Sequence, residues 1–240
     1  MRAYDRLARF YDADWADFAA ACLTFLSTVV DLHSAPLRIA DLACGTGSLA
    51  LSLAQAGHQV VGVDCSGSML EIATKKTLGE ERVQFEQCDM TRWRPTLRFD
   101  VVACMFDSIN YLIDDAQLQA LFSCVANALK SSGRFVFDFN RPSMYDQHCA
   151  GVVRRHIHNE TLVQELDYDG DSRIARTTFR FEDGAAEIHE QRAYEPQELL
   201  PMLDDAGLEV QERFGGLDLR PLHEGCDRAI LVCRHKPPSG

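Results

Sequence analysis

The sequence has no long apolar run. None of its 240 residues belongs to an uncharged apolar stretch of about 18 or more residues, the length that a membrane-spanning helix needs. The first six residues include charged side chains, and the N-terminus lacks the apolar core of a signal peptide. We therefore expect a cytoplasmic protein that has no membrane partner.

Basic residues are scarce relative to acidic ones. The chain has 24 Lys and Arg against 36 Asp and Glu, which gives a formal net charge of −12. This charge would on average repel a chain of phosphates, so nucleic acid is disfavoured as a partner. A small-molecule substrate is favoured instead.

Cysteine is present, but not in the spacings of a metal site. The nine cysteines include no C-x-x-C pair and no spacing typical of structural zinc, so we predict reduced thiols and no metal. Four of them follow successive predicted strands and are interpreted as small apolar residues at one rim of a sheet. These are Cys44, Cys65, Cys88 and Cys104.

What the sequence does contain is an alternation of strand and helix patterns after an N-terminal helical segment at 15–33. The predicted strands are 37–42, 59–63, 83–87, 99–104 and 134–139, and the predicted helices between them are 47–56, 67–77 and 114–129. Because right-handed crossovers place helices on both faces, this order predicts a doubly wound α/β fold with a mostly parallel sheet. Ligands of such sheets bind beyond the carboxyl ends of the strands.

A different pattern occupies residues 150–194, where apolar and polar residues are mixed around two hairpin signals. Asp169-Gly170-Asp171 and Asp183-Gly184 are typical hairpin turns, so we predict an inserted antiparallel β lid over the ligand edge of the sheet. A single domain is predicted. Its parts are an N-terminal helical segment (1–35), a ligand-binding core (36–149), the lid (150–194), and a C-terminal helix at 195–206 with edge strands at 208–214 and 228–233 (together 195–235).

The turn after the first predicted strand, at residues 41–50, carries the strongest signal for a ligand. Asp41 lies near the strand end, and Gly45 and Gly47 follow it. Glycine permits unusual φ angles and lets a ligand lie against the backbone. The turn also satisfies G-x-G-x-x-G/A, the pattern of dinucleotide-binding turns, so a nicotinamide or flavin cofactor is an alternative.

Three acidic residues lie at or just beyond successive strand ends. Asp64 follows the glycine turn by about 20 residues, where an acid commonly accepts hydrogen bonds from both hydroxyls of an adenosine ribose. Asp89 is predicted to accept from an adenine amino group, with Met69 and Met90 flanking the ring. Asp41 would oppose a pyrophosphate, by roughly 4 kcal/mol for a charge pair near 4 Å, and would favour an ammonium. S-adenosylmethionine, which has no phosphate, satisfies all three acids.

With these features the chain resembles the class I S-adenosylmethionine-dependent methyltransferases. Asp41-Leu42-Ala43-Cys44-Gly45-Thr46-Gly47 is similar to the first motif of the family, and residues 61–70 are similar to its second-strand motif. The resemblance implies a Rossmann-like sheet of seven strands whose last two form an antiparallel edge. It also implies a set of cofactor-binding residues. They are Tyr11, Asp41, Ala43, Cys44, Gly45, Gly47, Asp64, Cys65, Met69, Asp89, Met90 and Met105.

Within that family the chain is similar to the branch that methylates small molecules. Phe10-Tyr11-Asp12 resembles its N-terminal signature, residues 106–112 resemble its extension after the fourth strand, and the inserted strands resemble the lid of glycine and amino-sugar N-methyltransferases. An Asn-Pro-Pro-Tyr-like tetrapeptide is absent after the fourth strand, which disfavours the branches that methylate nucleic-acid amino groups or protein glutamine. The implied acceptor is an amine or a hydroxyl.

The acceptor is expected between the extension after the fourth strand and the lid. The catalytic candidates are therefore Asp107, Asn110 and Tyr111, with Tyr11 closing over the cofactor. A general base is needed only if the acceptor must lose a proton. Other candidates at the same edge are Asp138, Asn140 and Arg141.

Alternatives remain open at two levels. His156 and His158 share one face of a predicted strand. We interpret this face as exposed to solvent, and a general base or a metal site is the alternative interpretation. For the whole chain, the alternatives to an enzyme are a noncatalytic cofactor-binding protein and, less favoured, a dehydrogenase. Lids in such enzymes are sometimes shared between subunits, so a homodimer is also left open.

Overall fold

In the part of the chain that the structure describes, the main sheet has seven strands and a second sheet has four. The computed structural model describes residues 3–148, 151–157 and 159–237. Its strands are β1 (Arg38–Leu42), β2 (Gln59–Asp64), β3 (Val83–Gln87), β4 (Phe99–Cys104), β5 (Leu129–Asn140), β6 (Gly151–Ile157), β7 (Glu160–Asp169), β8 (Ile174–Arg180), β9 (Ala186–Arg192), β10 (Leu208–Phe214) and β11 (Arg228–His235). Its helices are α1 (Ala8–Val29), α2 (Ser48–Gln55), α3 (Gly67–Lys76), α4 (Asp115–Ala128), α5 (Pro142–His148) and α6 (Pro196–Asp205).

The main sheet is mostly parallel and ends in an antiparallel edge. Its strand order is β3-β2-β1-β4-β5-β11-β10. The strands from β3 to β5 pair in parallel, whereas β11 runs antiparallel to both β5 and β10. The predicted doubly wound, Rossmann-like sheet of seven strands is therefore confirmed. The carboxyl ends of β1, β2 and β4 meet at one edge, the edge at which such sheets bind ligands.

Local signals determine where the helices around the sheet begin. In α4 a capping box joins Asp114 and Gln117, each side chain accepting from the backbone N–H of the other residue. Ser66 caps α3 by accepting from the Met69 N–H at 3.3 Å. Buried side chains of α4, such as Leu118, then pack in the large core cluster on one face of the sheet. No helix in the described part of the chain has the length and apolar character needed to cross a membrane.

The inserted segment folds as a second sheet with the antiparallel order β6-β7-β8-β9. The predicted antiparallel insertion is confirmed. Asn110 lies in a 3₁₀ turn (Ser108–Tyr111) after β4 and joins the two sheets. Its amide donates to the Asn140 carbonyl of β5 at 2.9 Å and to the Arg192 carbonyl of β9 at 2.7 Å. This sheet, the lid, is thereby tied to the carboxyl edge of the main sheet.

The helix α1 begins and ends earlier than predicted. It ends at Val29, because Val30 is extended (φ −130°, ψ 134°) and the Asp31 carboxylate accepts from two N–H groups that follow it. It starts earlier because the chain around Leu7 and Phe10 is buried against residues of the lid. A contact between such distant segments cannot be inferred from helical periodicity.

Two elements after α4 also differ from the prediction. The strand β5 begins at Leu129, five residues before the predicted start at 134, since Leu129 pairs with Phe99 of β4 ahead of a register shift. The short helix α5 was not predicted. Its first residue is Pro142, whose fixed φ suits the first turn of a helix.

Candidate active site

The loop between β1 and α2 turns back on itself at three left-handed residues. Ala43, Gly45 and Gly47 have φ angles of 54°, 54° and 74°. The Gly47 N–H closes a turn by donating to the Cys44 carbonyl at 2.9 Å. At Gly45 the nearest heavy atoms to an added Cβ would lie 4.0 Å away, one of them on the Tyr11 ring. A ligand can therefore approach the backbone at Gly45.

The carboxylate of Asp41 lies buried below this loop with one oxygen unpaired. Asp41 is only 3% exposed, and its Oδ2 has no hydrogen-bond partner among the described residues. Burial and the nearby Asp64 carboxylate raise the pKa of Asp41 to about 7, although a hydrogen bond from the Ala50 N–H lowers it. A cationic ligand group would pair with the unsatisfied oxygen and relieve the cost of burying it.

Asp64, at the end of β2, holds the loop in place. Its carboxylate accepts from the Gly45 N–H and from the Ser66 N–H, both at 2.8 Å. Burial raises the pKa of this carboxyl, and the N–H groups lower it without cancelling the effect of burial. The acid predicted from its spacing to the glycine turn thus lies against the turn itself.

The helix α1 is tied to the same loop through Asp12. The Asp12 carboxylate accepts from Thr46 Oγ1 at 2.6 Å and from Lys76 Nζ at 2.8 Å. Lys76 also donates to Ser48 Oγ at 2.7 Å, so one ammonium joins α1, the loop and α3. The residue before Asp12 is Tyr11, which this anchor places beside the loop.

A cavity, here named the loop cavity, lies where α1 meets the loop. Its walls come from α1, from the loop and the first turn of α2, and from the chain that follows β4. It is lined by Tyr11, Asp12, Phe18, Ala19, Cys22, Asp41, Ala43, Cys44, Gly45, Thr46, Ser48, Leu49, Met105 and Phe106.

A second cavity, here named the lid cavity, lies between the 3₁₀ turn and the lid. Its volume is about 320 Å³. It shares Tyr11, Phe18 and Phe106 with the loop cavity, so the two cavities adjoin along an aromatic wall. Its other lining residues are Tyr4, Leu7, Asp107, Tyr111, Asn140, Met144, Tyr145, Gln164, Leu166, Thr177, Phe179, His189, Gln191 and Arg228.

Charged residues after β4 and at the start of β11 form one side of the lid cavity, and a buried carboxylate of β5 pairs behind them. Arg228 donates to Asp107 Oδ1 at 2.9 Å and to the buried carboxylate of Asp138. The other oxygen of Asp107 accepts from Gln191 Nε2 of the lid at 2.8 Å. Phe106 and Asp107 have φ angles of 69° and 46°. Left-handed backbone is costly for residues other than glycine and is retained where the surroundings or the function demand it.

Comparisons with known proteins agree on one family. A family model described as a methyltransferase domain matches residues 39–133. A protein of Geobacillus sp. (strain WCH70) that is named as a methyltransferase is 32% identical over 216 residues, which cover 82% of this chain and 84% of the relative. A crystal structure of an S-adenosylmethionine-dependent methyltransferase from Clostridium acetobutylicum matches with a TM-score of 0.80 at 23% identity, covering 98% of this chain and 100% of that one. The chain belongs to the class I S-adenosylmethionine-dependent methyltransferases.

The likeness in fold includes the lid as well as the main sheet of this methyltransferase. A sugar N-methyltransferase from Streptoalloteichus sp. matches with a TM-score of 0.75 at 21% identity, covering 98% of this chain and 94% of that one. At this identity the likeness concerns the fold. The family match confirms the predicted methyltransferase activity and the predicted methyl donor.

The methyltransferase brings six of the predicted cofactor-binding residues together around the loop cavity. They are Tyr11, Asp41, Ala43, Cys44, Gly45 and Met105. The other six do not line that cavity: Gly47, Asp64, Cys65, Met69, Asp89 and Met90. Among them, Asp89 is exposed beyond β3 and accepts from the Thr91 N–H and hydroxyl, both at 2.8 Å. Its contact with an adenine ring stays a prediction.

Of the three predicted catalytic residues, Asp107 and Tyr111 line the lid cavity and Asn110 does not. The Asn110 side chain is fully buried. Besides its two bonds to carbonyl groups, it accepts from the Asn140 N–H at 2.9 Å, so its amide is used entirely on backbone groups. The structure therefore gives Asn110 a positioning role between the sheets in place of the predicted contact with an acceptor.

The other residues considered from the sequence also differ in whether they line the lid cavity. Asn140 lines the lid cavity, whereas Asp138 is paired behind it and Arg141 donates to backbone carbonyls after β10. His156 is exposed, in agreement with a solvated strand face, and His158 lies outside the described residues. In the described part of the chain, no group of three or more His, Cys, Asp or Glu side chains is arranged to hold a metal.

The four rim cysteines lie just beyond or at the carboxyl ends of neighbouring parallel strands. Cys104 is buried, Cys44 and Cys88 are half-buried, and Cys65 is exposed. The interpretation as small packing residues therefore fits Cys104 and is wrong for Cys65.

Several polar residues of the lid cavity were missed from the sequence, among them Tyr4, His189 and Arg228. They belong to no recognised motif, and hydrogen bonds join two of them to Tyr111 across 107 and 78 positions of the chain. The local pattern was misleading for His189. It alternates with Ile188, and the alternation of an apolar and a polar residue would place Ile188 inward, yet Ile188 is 51% exposed and His189 is buried on the opposite side.

Proposed function

We propose that this methyltransferase transfers the methyl group of S-adenosylmethionine to an amine or hydroxyl of a small molecule bound in the lid cavity. The observation that carries the proposal is the junction of the two cavities at Tyr11, Phe18 and Phe106. A donor in the loop cavity and an acceptor in the lid cavity would meet there. In-line displacement requires such an arrangement, because the acceptor atom must approach opposite the leaving sulfur.

The residues around the loop cavity fit the donor. The buried, unpaired Oδ2 of Asp41 suits the amino group at the methionyl end. Gly45 leaves the backbone open to the ligand. Asp64 is proposed to hold the ribose hydroxyls and Asp89 the adenine amino group. When bound, this cofactor supplies a methyl group on a positively charged sulfur, which is an excellent leaving group.

Catalysis by these residues rests on positioning and on the exclusion of water. The rings of Phe18 and Phe106 pack edge to face with their centroids 4.1 Å apart. Tyr11 extends this wall, with its ring centroid 5.8 Å from that of Phe106. The wall consists of three aromatic rings, so it would confine the two reacting atoms and help to exclude water as a competing nucleophile.

Size and charge support a small acceptor. The volume of about 320 Å³ is within the range of small-ligand sites, and the lid covers it. The net charge of −12 would repel a nucleic-acid backbone. An amine is supported further by the likeness to a protein named as a sugar N-methyltransferase. We also propose that residues 1–240 act as one domain, because β10 and β11 complete the sheet that begins with β1.

Transfer of labelled methyl groups to a library of amines, acids, phenols and thiols tests the proposal. We expect turnover with one class of acceptor. We also expect Asp64→Ala to weaken the binding of S-adenosylhomocysteine by about 10- to 100-fold, since it removes charge-assisted hydrogen bonds. Asp100→Ala is the matched control, because Asp100 lies at the amino end of β4 and pairs with Lys130.

Two outcomes would contradict the proposal in different ways. Tight binding of S-adenosylhomocysteine with inactivity across the whole library would favour a noncatalytic binding protein. Binding of a nicotinamide dinucleotide in place of S-adenosylhomocysteine would support a dehydrogenase and overturn the assignment of Asp41.

A further inference from the structure

A continuous row of hydrogen bonds runs from the lid cavity to a buried carboxylate on the lid. The hydroxyls of Tyr4 and Tyr111 lie 2.7 Å apart, and the Tyr111 hydroxyl lies 2.8 Å from His189 Nδ1. The other ring nitrogen, Nε2, lies 2.7 Å from Glu187 Oε1. Glu187 is fully buried and His189 is 3% exposed. Because three of the four residues line the lid cavity, one end of the row is accessible to an acceptor.

The surroundings of Glu187 determine the direction of these hydrogen bonds. Its carboxylate also accepts from the backbone N–H groups of Tyr4 at 2.5 Å, Arg6 at 2.8 Å and Leu7 at 3.3 Å. Burial raises the pKa of Glu187, but the hydrogen bond and charge interaction with His189 and the bonds from the Arg6 and Tyr4 N–H groups outweigh burial and hold that pKa below its ordinary value. An ionised carboxylate only accepts, so the hydrogen between the two side chains belongs to Nε2 of His189.

The orientation of the rest of the row follows from that hydrogen. In a neutral imidazole that carries its hydrogen on Nε2, Nδ1 is an acceptor. With His189 in this form, Tyr111 donates to His189 and Tyr4 donates to Tyr111. Each hydroxyl in the row has its hydrogen directed toward the imidazole, which leaves the oxygen of Tyr4 as the accepting end. The ring of Tyr4 also packs edge to face on Tyr11, with centroids 5.8 Å apart, and Tyr11 lines both cavities.

The two tyrosines can pass a proton but not store one. Burial raises the pKa of Tyr4 and of Tyr111 well above the ordinary tyrosine value. Both phenols therefore stay protonated near neutral pH, and the imidazole is the group in the row that can take up a proton. The other charged groups that act on these tyrosines include Asp107, which pairs with Arg228 on one side of the lid cavity, and Asp64, which acts on Tyr4.

We propose that Tyr4, Tyr111, His189 and Glu187 form a proton relay that deprotonates the methyl acceptor. This inference rests on the proposed function. It narrows the acceptor to a group that must lose a proton, namely a hydroxyl or a protonated amine. In this relay Tyr4 is the catalytic residue that contacts the acceptor. Tyr111, His189 and Glu187 act through Tyr4: they position it, and His189 finally accepts the proton.

The step balances without any further reactant. The bond between the acceptor and its hydrogen breaks, and that proton passes to the oxygen of Tyr4. Tyr4 passes its own proton to Tyr111, and Tyr111 passes its proton to Nδ1 of His189. The electron pair left on the acceptor forms the bond to the methyl carbon, and the pair of the carbon–sulfur bond leaves with the sulfur. The imidazolium that results is stabilised by the carboxylate of Glu187.

The hydrogen-bond direction can be tested without an acceptor. In protein labelled with ¹⁵N-histidine, and with the signals assigned by the loss of one set in His189→Gln, we expect His189 to carry its hydrogen on Nε2 and a free lone pair on Nδ1 at neutral pH. Glu187→Gln should disturb this tautomer, whereas Glu190→Gln, on the exposed face of the same strand, should not. A hydrogen on Nδ1 in the wild-type protein would overturn the relay, because Tyr111 could not then pass a proton to it.

Kinetics with an acceptor found in the library test the relay in action. We expect Tyr4→Phe, Tyr111→Phe and His189→Gln each to lower kcat at pH 7 by about 10²- to 10⁴-fold, the usual contribution of acid–base catalysis. KM for the donor and the affinity for S-adenosylhomocysteine should change little. The loss should shrink as the pH rises, because solvent then removes the proton. His156→Gln, an exposed histidine of the lid, is the control for His189→Gln.

The outcomes separate the relay from the proposed function. If the wild-type protein methylates an acceptor and all three variants keep its kcat and its pH profile, the relay is wrong while the proposed function stands. A loss that is equal at every pH would indicate a structural role and would also reject the relay. If the wild-type protein has no acceptor at all, the proposed function fails, and the tautomer of His189 still decides whether the row of hydrogen bonds exists as described.

Discussion

At the scale of single residues, Asp41 has a cost in stability that its proposed role in binding would explain. Its folded pKa of about 7 lies above the value near 4 of an aspartate in an unfolded chain. Between about pH 4 and pH 7 the folded chain therefore holds more protons at this position, so the free energy of unfolding falls as the pH rises through that window. The proposed pairing of Asp41 with a cationic ligand group would account for keeping a carboxyl group at this cost.

Asp41→Asn should therefore stabilise the ligand-free protein at pH 8. We expect a gain of about 1 to 3 kcal/mol, less than the roughly 4 kcal/mol that the pKa rise corresponds to, because the new amide also lacks a partner. The same change should weaken the binding of S-adenosylhomocysteine by about 10- to 100-fold. Urea denaturation and calorimetry at pH 6 and pH 8 measure the two effects. Unchanged affinity would show that Asp41 does not pair with the amino group.

The two glycines of the loop should respond differently to alanine. At Gly47 a Cβ would lie 2.9 Å from the Phe85 ring and 3.0 Å from Ala73 Cβ, and φ is 74°. Gly47→Ala is expected to cost about 2 to 5 kcal/mol of unfolding free energy, from strained backbone and overpacking together. At Gly45 a Cβ meets nothing closer than 4.0 Å, so Gly45→Ala should cost about 1 to 2 kcal/mol.

The effect of the two variants on ligand affinity should have the opposite order: Gly45→Ala, the less destabilised variant, should lose more affinity than Gly47→Ala. The Cβ at Gly45 would enter the loop cavity, so S-adenosylhomocysteine should bind much more weakly to Gly45→Ala at a temperature where both variants are folded. Thermal unfolding and calorimetry on both proteins provide the comparison. If Gly47→Ala loses affinity and Gly45→Ala keeps it, the ligand does not lie on the backbone where the cavity places it.

The predictability of single residues depended on how local their causes are. Asp41 and Asp64 could be found because parallel strands bring their carboxyl ends to one edge, and the spacing to the glycine turn is encoded in about 25 residues of sequence. Asn110 lies beside Tyr111 in the same motif, yet only the fold shows that distant carbonyl groups occupy its amide. The sequence identified residues near the site and could not tell which side chains are already engaged.

At the scale of elements, the N-terminal segment is fastened to the lid through one carboxylate. Glu187 of β9 receives three backbone N–H groups of residues 4–7, and Arg6 pairs with Asp183 at 2.7 Å farther along the lid. Phe10 stacks on Phe181, with centroids 5.9 Å apart. The segment that carries Tyr4 over the lid cavity is therefore positioned mainly by the lid, and the main sheet adds one long bond, from Ser66 Oγ after β2 to the Tyr4 carbonyl at 3.5 Å.

Glu187→Ala should release that segment. Hydrogen exchange of residues 3–7 is expected to accelerate by about 10- to 100-fold relative to the wild-type protein, since three backbone donors lose a buried acceptor. Glu190→Ala, which breaks an exposed pair with Arg176, is the control and should leave this exchange unchanged. Because the pKa of Glu187 is held below its ordinary value, the contribution of this fastening is present above about pH 4 and is lost as the pH falls below it. Equal exchange in both variants would show that the aromatic contacts alone hold the segment.

Elements with local signals were predicted well, and those defined by distant partners were not. The capping residues of α3 and α4 and the hairpin turns of the lid are readable in short windows. The early start of α1 and of β5 depends on contacts with the lid and with β4, which no short window contains. The lid cavity is the extreme case, because its walls come from the N-terminal segment, the 3₁₀ turn, α5, the lid and β11.

At the scale of the whole molecule, ligand binding should stabilise the fold in a way that separates the candidate cofactors. S-adenosylhomocysteine at 100 times its dissociation constant should add about 2.7 kcal/mol to the free energy of unfolding. For a domain of this size each kcal/mol corresponds to roughly 2 to 4 °C, so Tm should rise by about 5 to 10 °C. NAD at the same concentration should leave Tm unchanged, because Asp41 repels a pyrophosphate. A rise in Tm with NAD and none with S-adenosylhomocysteine would contradict the assigned cofactor.

The parts of the chain that a ligand stabilises should depend on which of the two cavities it fills. S-adenosylhomocysteine alone fits the loop cavity, so hydrogen exchange should slow first in residues 41–50 and in α1, which Asp12 ties to the loop. The strands β6 to β9 should gain most of their protection only when an acceptor also fills the lid cavity, because none of their described residues lines the loop cavity. Protection of the whole lid by S-adenosylhomocysteine alone would mean that the cofactor closes the lid by itself, and the acceptor would then have to bind first.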